Sequence, residues 1–209
     1  MRAEQVQLDK RQAKRLIEAR NHMVNIVTIS SQRYLVDVGF GSSGPHHPIP
    51  LLPQGVEELN VGKQYLSLSH EPIPDCLDQS QKFWVYRYRH TAQSPWITGY
   101  CFSEVEFLPV DFEIMNLGTS RGPGLFTENV ICVKMLMEKE VVEGEEKVRL
   151  VGDVTLFGQE VKRRIGGENQ VVQVLRSEEE RVEALEKWLY VRLTDEERTG
   201  IRGMPSELK

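Results

Sequence analysis

Residues 21–44, NHMVNIVTISSQRYLVDVGFGSSG, constrain the fold more tightly than any other stretch of the chain. Two short apolar runs, 23–29 and 34–38, flank the polar break Ser30-Ser31-Gln32-Arg33. Short runs rich in Val and Ile and bounded by polar residues favour paired strands over a helix, because branched side chains pack well on a pleated face. With Ser30-Ser31 as a two-residue hairpin loop, Ile29 faces Gln32 and Val24 faces Asp37. His22 then stands diagonal to Asp37 on the same face, at a separation long side chains bridge. A slip of one residue would put the two on opposite faces.

A carboxylate beside an imidazole fixes its tautomer and stabilises the imidazolium. That is the supporting half of a nucleophile–His–Asp triad. The plain alternative is a His that caps a strand edge and an Asp that satisfies a turn, and spacing alone leaves both open.

The runs H-M-V-x-I-V and Y-L-V-D-V-G-F-G resemble the arylamine N-acetyltransferases, in particular their fungal members. The likeness continues through WITGYCFSEVEFLP (96–109), DFEIMN (111–116), FTENVICVKM (126–135) and the acidic C-terminal helix, and so covers residues 21–209. The resemblance implies an α+β fold, with a small antiparallel β-barrel over 21–110 followed by an α/β lid domain over 111–209. These would be the family's second and third domains. It implies a Cys–His–Asp triad with His22 and Asp37 on the last two positions. It places Phe40, with Gly41 beside it, along the wall of the acceptor site. The family motif N-x-x-x-S/T-x-x-P-x-S-x-F, which helps bind coenzyme A, is partly matched by Asn116, Ser120, Pro123 and Phe126, with Gly124 in place of the usual Ser and the loop one residue short. The implied reaction is acetyl transfer from acetyl-CoA to arylamines or N-hydroxyarylamines, without a metal, the small amine and acetyl-CoA being the partners.

The resemblance also implies a nucleophilic Cys several tens of residues before the His, in a helical first domain. Only 21 residues precede His22 and none is Cys. The expectation is a chain truncated of that first domain, with an uncovered apolar barrel face prone to self-association. Two other readings remain open: a non-catalytic remnant that binds coenzyme A or a protein, and an unrelated ligand-binding barrel in which His22 and Asp37 are structural.

Other motifs resolve more simply. Gly39-Phe40-Gly41-Ser42-Ser43-Gly44 satisfies G-x-G-x-x-G, but Pro45, Pro48, Pro50 and Pro53 forbid the helix a dinucleotide site requires. His46-His47 would point apart on a strand and lack further clustered ligands, so they read as surface residues. Cys101 in Gly99-Tyr100-Cys101 mimics the family's nucleophile signature, but in the wrong chain order. It is expected to be inert, although triads do recur in several orders. Glu104 and Glu106 are expected on one strand face, as paired carboxylates or as solvated residues. Tyr86, Arg87, Tyr88 and Arg89 alternate as a nucleic-acid stacking strand would, but a net charge of -5 opposes that use.

Residues 1–20 read as a basic leader unlike the family, helical or frayed, with an apolar stripe too thin for a membrane anchor. No 18-residue apolar run and no signal-peptide core are present, and three scattered cysteines suit a reducing cytoplasm. Strands are expected at 64–69, 82–89, 127–137, 148–157 and 160–165, with a turn-rich connector at 115–123 and an acidic hairpin at 138–147. Lys162-Arg163-Arg164 would lie on an exposed edge or face coenzyme A phosphates. Ser177 and Glu180 predict a capped helix over 178–189, and Thr194 with Glu197 a second short helix that Gly200 ends.

Overall fold

The computed structural model describes residues 22–121 and 123–208. The basic segment 1–20 lies outside the described residues. The chain divides between Glu106 and Phe107 into two compact units.

In the first unit, β1 (Asn25–Ile29) and β2 (Gln32–Val36) pair antiparallel, with Ile29 opposite Gln32 and Asn25 opposite Val36. This is the expected register. Ser30 and Ser31 both take left-handed backbone, φ 48° and 67°, giving the tight turn whose twist matches the flanking strands. β3 (Ile49–Pro50) extends this sheet on the β2 side. A second sheet, ordered β4-β5-β6-β7, comprises β4 (Val56–Leu59), β5 (Tyr65–Glu71), β6 (Phe83–Arg89) and β7 (Ile97–Phe102). The two sheets close on one core: Leu35 and Ile49 from the first meet Leu66, Leu68, Trp84, Tyr86, Tyr100 and Phe102 from the second. This is the small antiparallel barrel that the sequence implied. The opposite face of β6 and β7 supplies a separate cluster, Val85 and Cys101 with Ile73.

Glu104 and Glu106 do not share a strand face. Trp84 pairs with Phe102 and β6 begins one residue earlier, so no ladder remains for residues beyond the end of β7. Glu104 instead accepts a two-pronged pair of bonds from Arg33, at 2.7 and 3.0 Å, and one from the Trp84 indole at 2.9 Å. The Arg33 contacts come first among the causes that hold its carboxyl below the usual range.

The second unit opens with α1 (Pro109–Arg121) and the short α2 (Leu125–Glu128). The connector expected over 115–123 is therefore largely helix. Pro109 starts it, and Asp111 caps it by accepting the Leu108 N–H at 2.7 Å. Thr119 and Ser120, which read as turn formers, send their hydroxyls back to the Met115 and Asn116 carbonyls at 3.3 and 2.7 Å. α1 buries none of its residues, and Val110, Ile114 and Leu117 are all exposed.

A meander follows: β8 (Ile131–Val142), β9 (Glu145–Phe157), β10 (Glu160–Ile165) and β11 (Glu168–Val174), in the order β11-β10-β9-β8. The acidic stretch 138–147 is mostly strand, turning only at Glu143-Gly144, where φ is 55° and 84°. β11 was not anticipated, and it makes β10 an interior strand. Lys162-Arg163-Arg164 therefore lies on no edge, and Arg164 is tied to Asp153 at 2.7 Å. α3 (Glu178–Leu189) lays Ala184, Leu185 and Leu189 on Val154, Leu156 and Val161 of the sheet. Ser177 accepts the Glu180 N–H as predicted, while the Glu180 carboxylate reaches back to the Arg176 N–H. α4 (Asp195–Thr199) carries the full Thr194–Glu197 capping box, and Gly200 caps its end. Among the described residues no helix is long and apolar enough to cross a membrane.

Two glycines of the second unit should respond oppositely to an added methyl. A Cβ on Gly152 would sit 1.8 Å from the Arg164 carbonyl oxygen. Gly152→Ala should therefore cost about 3 kcal/mol or more. Gly118, on α1 with nothing within 4 Å of its Cβ position, should gain about 1 kcal/mol as Ala. Urea midpoints of the two variants check both signs.

Candidate active site

The site is built on the first hairpin. Asp37 follows β2 directly and is 7 % exposed. Its Oδ1 accepts the backbone N–H groups of Gly39 and Phe40, at 2.9 and 3.2 Å. Its Oδ2 meets His22 Nε2 at 2.9 Å. One carboxylate thus closes the turn that carries Phe40 and also holds the imidazole. Because a carboxylate only accepts, the His22 proton resides on Nε2, which leaves Nδ1 as the basic atom. Burial alone would raise the Asp37 pKa. The His22 bond, the Gly39 N–H and the neighbouring Tyr100 hydroxyl together outweigh burial and hold it below the usual carboxylate range.

Aromatic rings wall the imidazole. The Phe40 ring stands edge-on to it at 5.2 Å, and the Tyr100 ring lies tilted at 4.9 Å. Phe40 also contacts Tyr100 at 5.0 Å, Tyr86 at 6.1 Å and Tyr88 at 6.5 Å, all edge-on, while Tyr86 stacks on Tyr100. Gly99 makes room for this packing. It falls at the register shift between β6 and β7, and a Cβ there would meet Tyr86 at 2.9 Å and Phe40 at 3.2 Å. Gly41 takes φ 79° and opens a one-turn 3-10 helix, Gly41–Ser43, beside Phe40.

Tyr100 was missed in the sequence. Its buried hydroxyl faces Asp37 without a well-formed hydrogen bond, and burial followed by the Asp37 charge pushes its pKa far above the ordinary phenol value. It is therefore a neutral hydroxyl against the carboxylate. The signal was present in the period of β7, since neighbours on a strand face opposite ways. The same period disposes of Cys101, which packs with Ile73 and Val85 on the far face of β6 and β7. Cys76 packs against that same cluster. Cys132 belongs to the second unit, where burial raises its thiol pKa.

The expected site residues thus form two groups. His22, Asp37, Phe40 and Gly41 come together in the first unit. Asn116 and Ser120 lie on α1 of the second unit, with Pro123 just past its end, and the Ser120 hydroxyl is already engaged with the Asn116 carbonyl at 2.7 Å. His46 and His47 sit in the loop after the 3-10 turn, His47 lying 3.8 Å from Glu58. Among the described residues no group of three or more His, Cys, Asp or Glu could hold a metal.

The first unit thus brings together a buried carboxylate, the imidazole it orients and a wall of aromatic rings. The family model described as N-acetyltransferase matches residues 5–197, and the chain belongs to that family, the arylamine N-acetyltransferases. Among curated proteins it is 36 % identical over 190 residues to the N-malonyltransferase FDB2 of Fusarium pseudograminearum, covering 87 % of this chain and 53 % of that protein. The FDB2 protein of Gibberella moniliformis is 35 % identical over 191 residues, with the same coverage. The chain thus spans about half the length of the curated relatives it matches. Among solved structures, the arylamine N-acetyltransferase of Mycobacterium abscessus aligns with a TM-score of 0.65 at 15 % identity, over 84 % of this chain and 56 % of that one. The Mycobacterium marinum enzyme in complex with CoA aligns at 0.55 and 21 %, over 80 % and 53 %. At these identities the structures establish the shared fold.

Acid should expose the role of Asp37 in stability. A carboxyl whose folded pKa is depressed stabilises fully above its unfolded value, about 3.9, and that contribution is lost as pH falls through the folded value. Asp37→Asn should therefore be less stable than the parent near neutral pH and show a shallower loss below pH of about 4. Urea melts across that range measure the slope.

Proposed function

We propose that this chain carries the proton-handling half of an arylamine N-acyltransferase, a reading carried by the 2.9 Å bond between His22 and Asp37. His22 Nδ1 takes the proton of a cysteine thiol, and the thiolate attacks the thioester carbonyl of an acyl-CoA. Coenzyme A leaves as its thiol, taking up the proton. The amine then attacks the acyl-cysteine, passing its own proton to His22 as the cysteine sulfur departs. Asp37 fixes the tautomer in which Nδ1 carries the lone pair and stabilises the imidazolium formed in each half-reaction.

The thiol is none of Cys76, Cys101 or Cys132 in this reading. It comes from the part of the relatives' length that this chain does not span. Phe40 and Gly41 wall the acceptor, an arylamine or N-hydroxyarylamine. Asn116, Ser120 and Pro123 serve coenzyme A, in a division at 21–110 and 111–209. Acetyl-CoA is one donor. The relatives named N-malonyltransferase support malonyl-CoA as the other. A cytoplasmic location rests on the sequence alone. A second reading, a non-catalytic chain that still binds coenzyme A, draws support from Cys76 and Cys101 packing in the cluster on the far face of β6 and β7.

The test joins this chain, in one polypeptide, to the N-terminal half of the Fusarium pseudograminearum relative. Coenzyme A release is then followed with an arylamine and either donor. Amine-dependent release that falls about a hundredfold or more in His22→Ala supports the first reading. Release that survives His22→Ala overturns it. A fusion inactive with both donors, on a chain that binds coenzyme A, establishes the second. Separately, Met23, Val27 and Ile29 are exposed on the hairpin, and we expect light scattering to show a mass that rises with concentration. A constant monomer mass would contradict self-association.

A further inference from the structure

The loop that carries Phe40 is fastened at three places, and two of the fastenings come from side chains outside the catalytic hairpin. Asp37 closes its start through the Gly39 and Phe40 N–H groups. Tyr86 on β6 donates its hydroxyl to the Ser43 carbonyl at 2.8 Å, at the end of the 3-10 turn. Beyond that, Asn60 grips the backbone on both sides of Pro45. Its Nδ2 donates to the Gly44 carbonyl at 2.8 Å and its Oδ1 accepts the His46 N–H at 3.1 Å.

The orientation of the Asn60 amide is not free. A backbone N–H only donates and a backbone carbonyl only accepts, so the amide can lie in one sense alone. Its second Nδ2 proton goes to Gln64 Oε1 at 2.8 Å, and Gln64 is 3 % exposed. Asn60 is fixed in turn by the β4–β5 connection, where its N–H bonds to the Gln64 carbonyl and the Gln64 N–H to the Val61 carbonyl, at 2.8 and 2.9 Å. A rigid hairpin turn thus clamps the loop next to the His–Asp pair. Gly44 must sit tight beneath Phe40, since a Cβ there would lie 3.1 Å from the Phe40 Cβ. Gly44 therefore links the clamped end of the loop to the backbone of Phe40.

We propose that Asn60 is a positioning residue that sets which ring substituents the acceptor site admits, by holding the 41–46 loop in one place against Phe40. This rests on the reading of the site as an arylamine site. Asn60 touches no reacting atom. It acts through the backbone of Gly44 and His46, and Asp37 and His22 keep their own bond without it.

The experiment uses the purified chain, with aniline and 4-ethylaniline as probes and ring-proton NMR shifts of Phe40 and Tyr100 as the binding signal. In Asn60→Ala the His46 amide should exchange about tenfold faster. The ratio of the two amine affinities should move toward one, and the NMR titration curve of the His22 ring should stay where it is in the parent. Asn60→Asp keeps an acceptor for His46 but removes the donor to Gly44, so it should protect the His46 amide and still lose the discrimination. Tyr86→Phe removes only the hydroxyl on Ser43 and serves if the Asn60 variants do not fold, with the same loss of discrimination expected. Faster loop exchange with an unchanged affinity ratio would make the clamp purely structural and overturn the proposal. A shifted His22 titration would also overturn it, because Asn60 would then act on the acid–base pair. A parent chain that binds neither amine sinks the arylamine reading itself, and this proposal with it.

Discussion

The Asp37 carboxylate is the group on which fold and chemistry both depend. A buried carboxylate is tolerable only when its lone pairs are met, and here they are met from two directions. One oxygen gathers the N–H groups that bend the chain after β2, and the other takes the imidazole. The acid holds the bend, and the bend supplies N–H groups that offset its burial. The side chain of His22 is 20 % exposed and that of Asp37 0 %, so the anion lies behind the base it orients. The charge is thereby shielded from solvent.

Much of this could be read from residues 21–44 because the information there is local. A two-residue turn fixes the register, the register fixes the face, and the face brings His22 to Asp37. The capped helices were legible for the same reason, since Ser177 with Glu180 and Thr194 with Glu197 act within one turn of chain. The failures share the opposite cause. Residues 115–121 carry Asn, Gly, Thr and Ser, and their turn-forming character yields to a helix capped from outside the stretch by Pro109 and Asp111. β11 is held in the sheet by its pairing with β10, outside its own stretch of chain. Asn60 and Tyr86 reach the loop across 14 to 43 positions, a relation no spacing rule contains.

Tyr100 and Cys101 show how the period of a strand decides a site. The sequence drew attention to the sulfur, because Gly-Tyr-Cys is the resembled signature. In the fold the phenol side of β7 faces Asp37 and Phe40, and the sulfur side faces Ile73 and Val85. A strand places one of two neighbours at the site and turns the other away. Tyr100, held neutral by burial and by the adjacent carboxylate, adds a hydroxyl beside the acid without adding a second charge.

The aromatic wall explains why the loop after Asp37 is rich in glycine. Phe40 must lie against β7 at Gly99 and above Gly44, and both contacts leave no room for a Cβ without displacement. Gly41 must take positive φ for the chain to turn back under the ring. A loop of such residues has high conformational entropy when free. The bonds from Asp37, Tyr86 and Asn60 offset that entropy at three separate points along the loop. Backbone freedom therefore lets the ring reach the imidazole, and side chains from β6 and the β4–β5 connection remove that freedom once it is there.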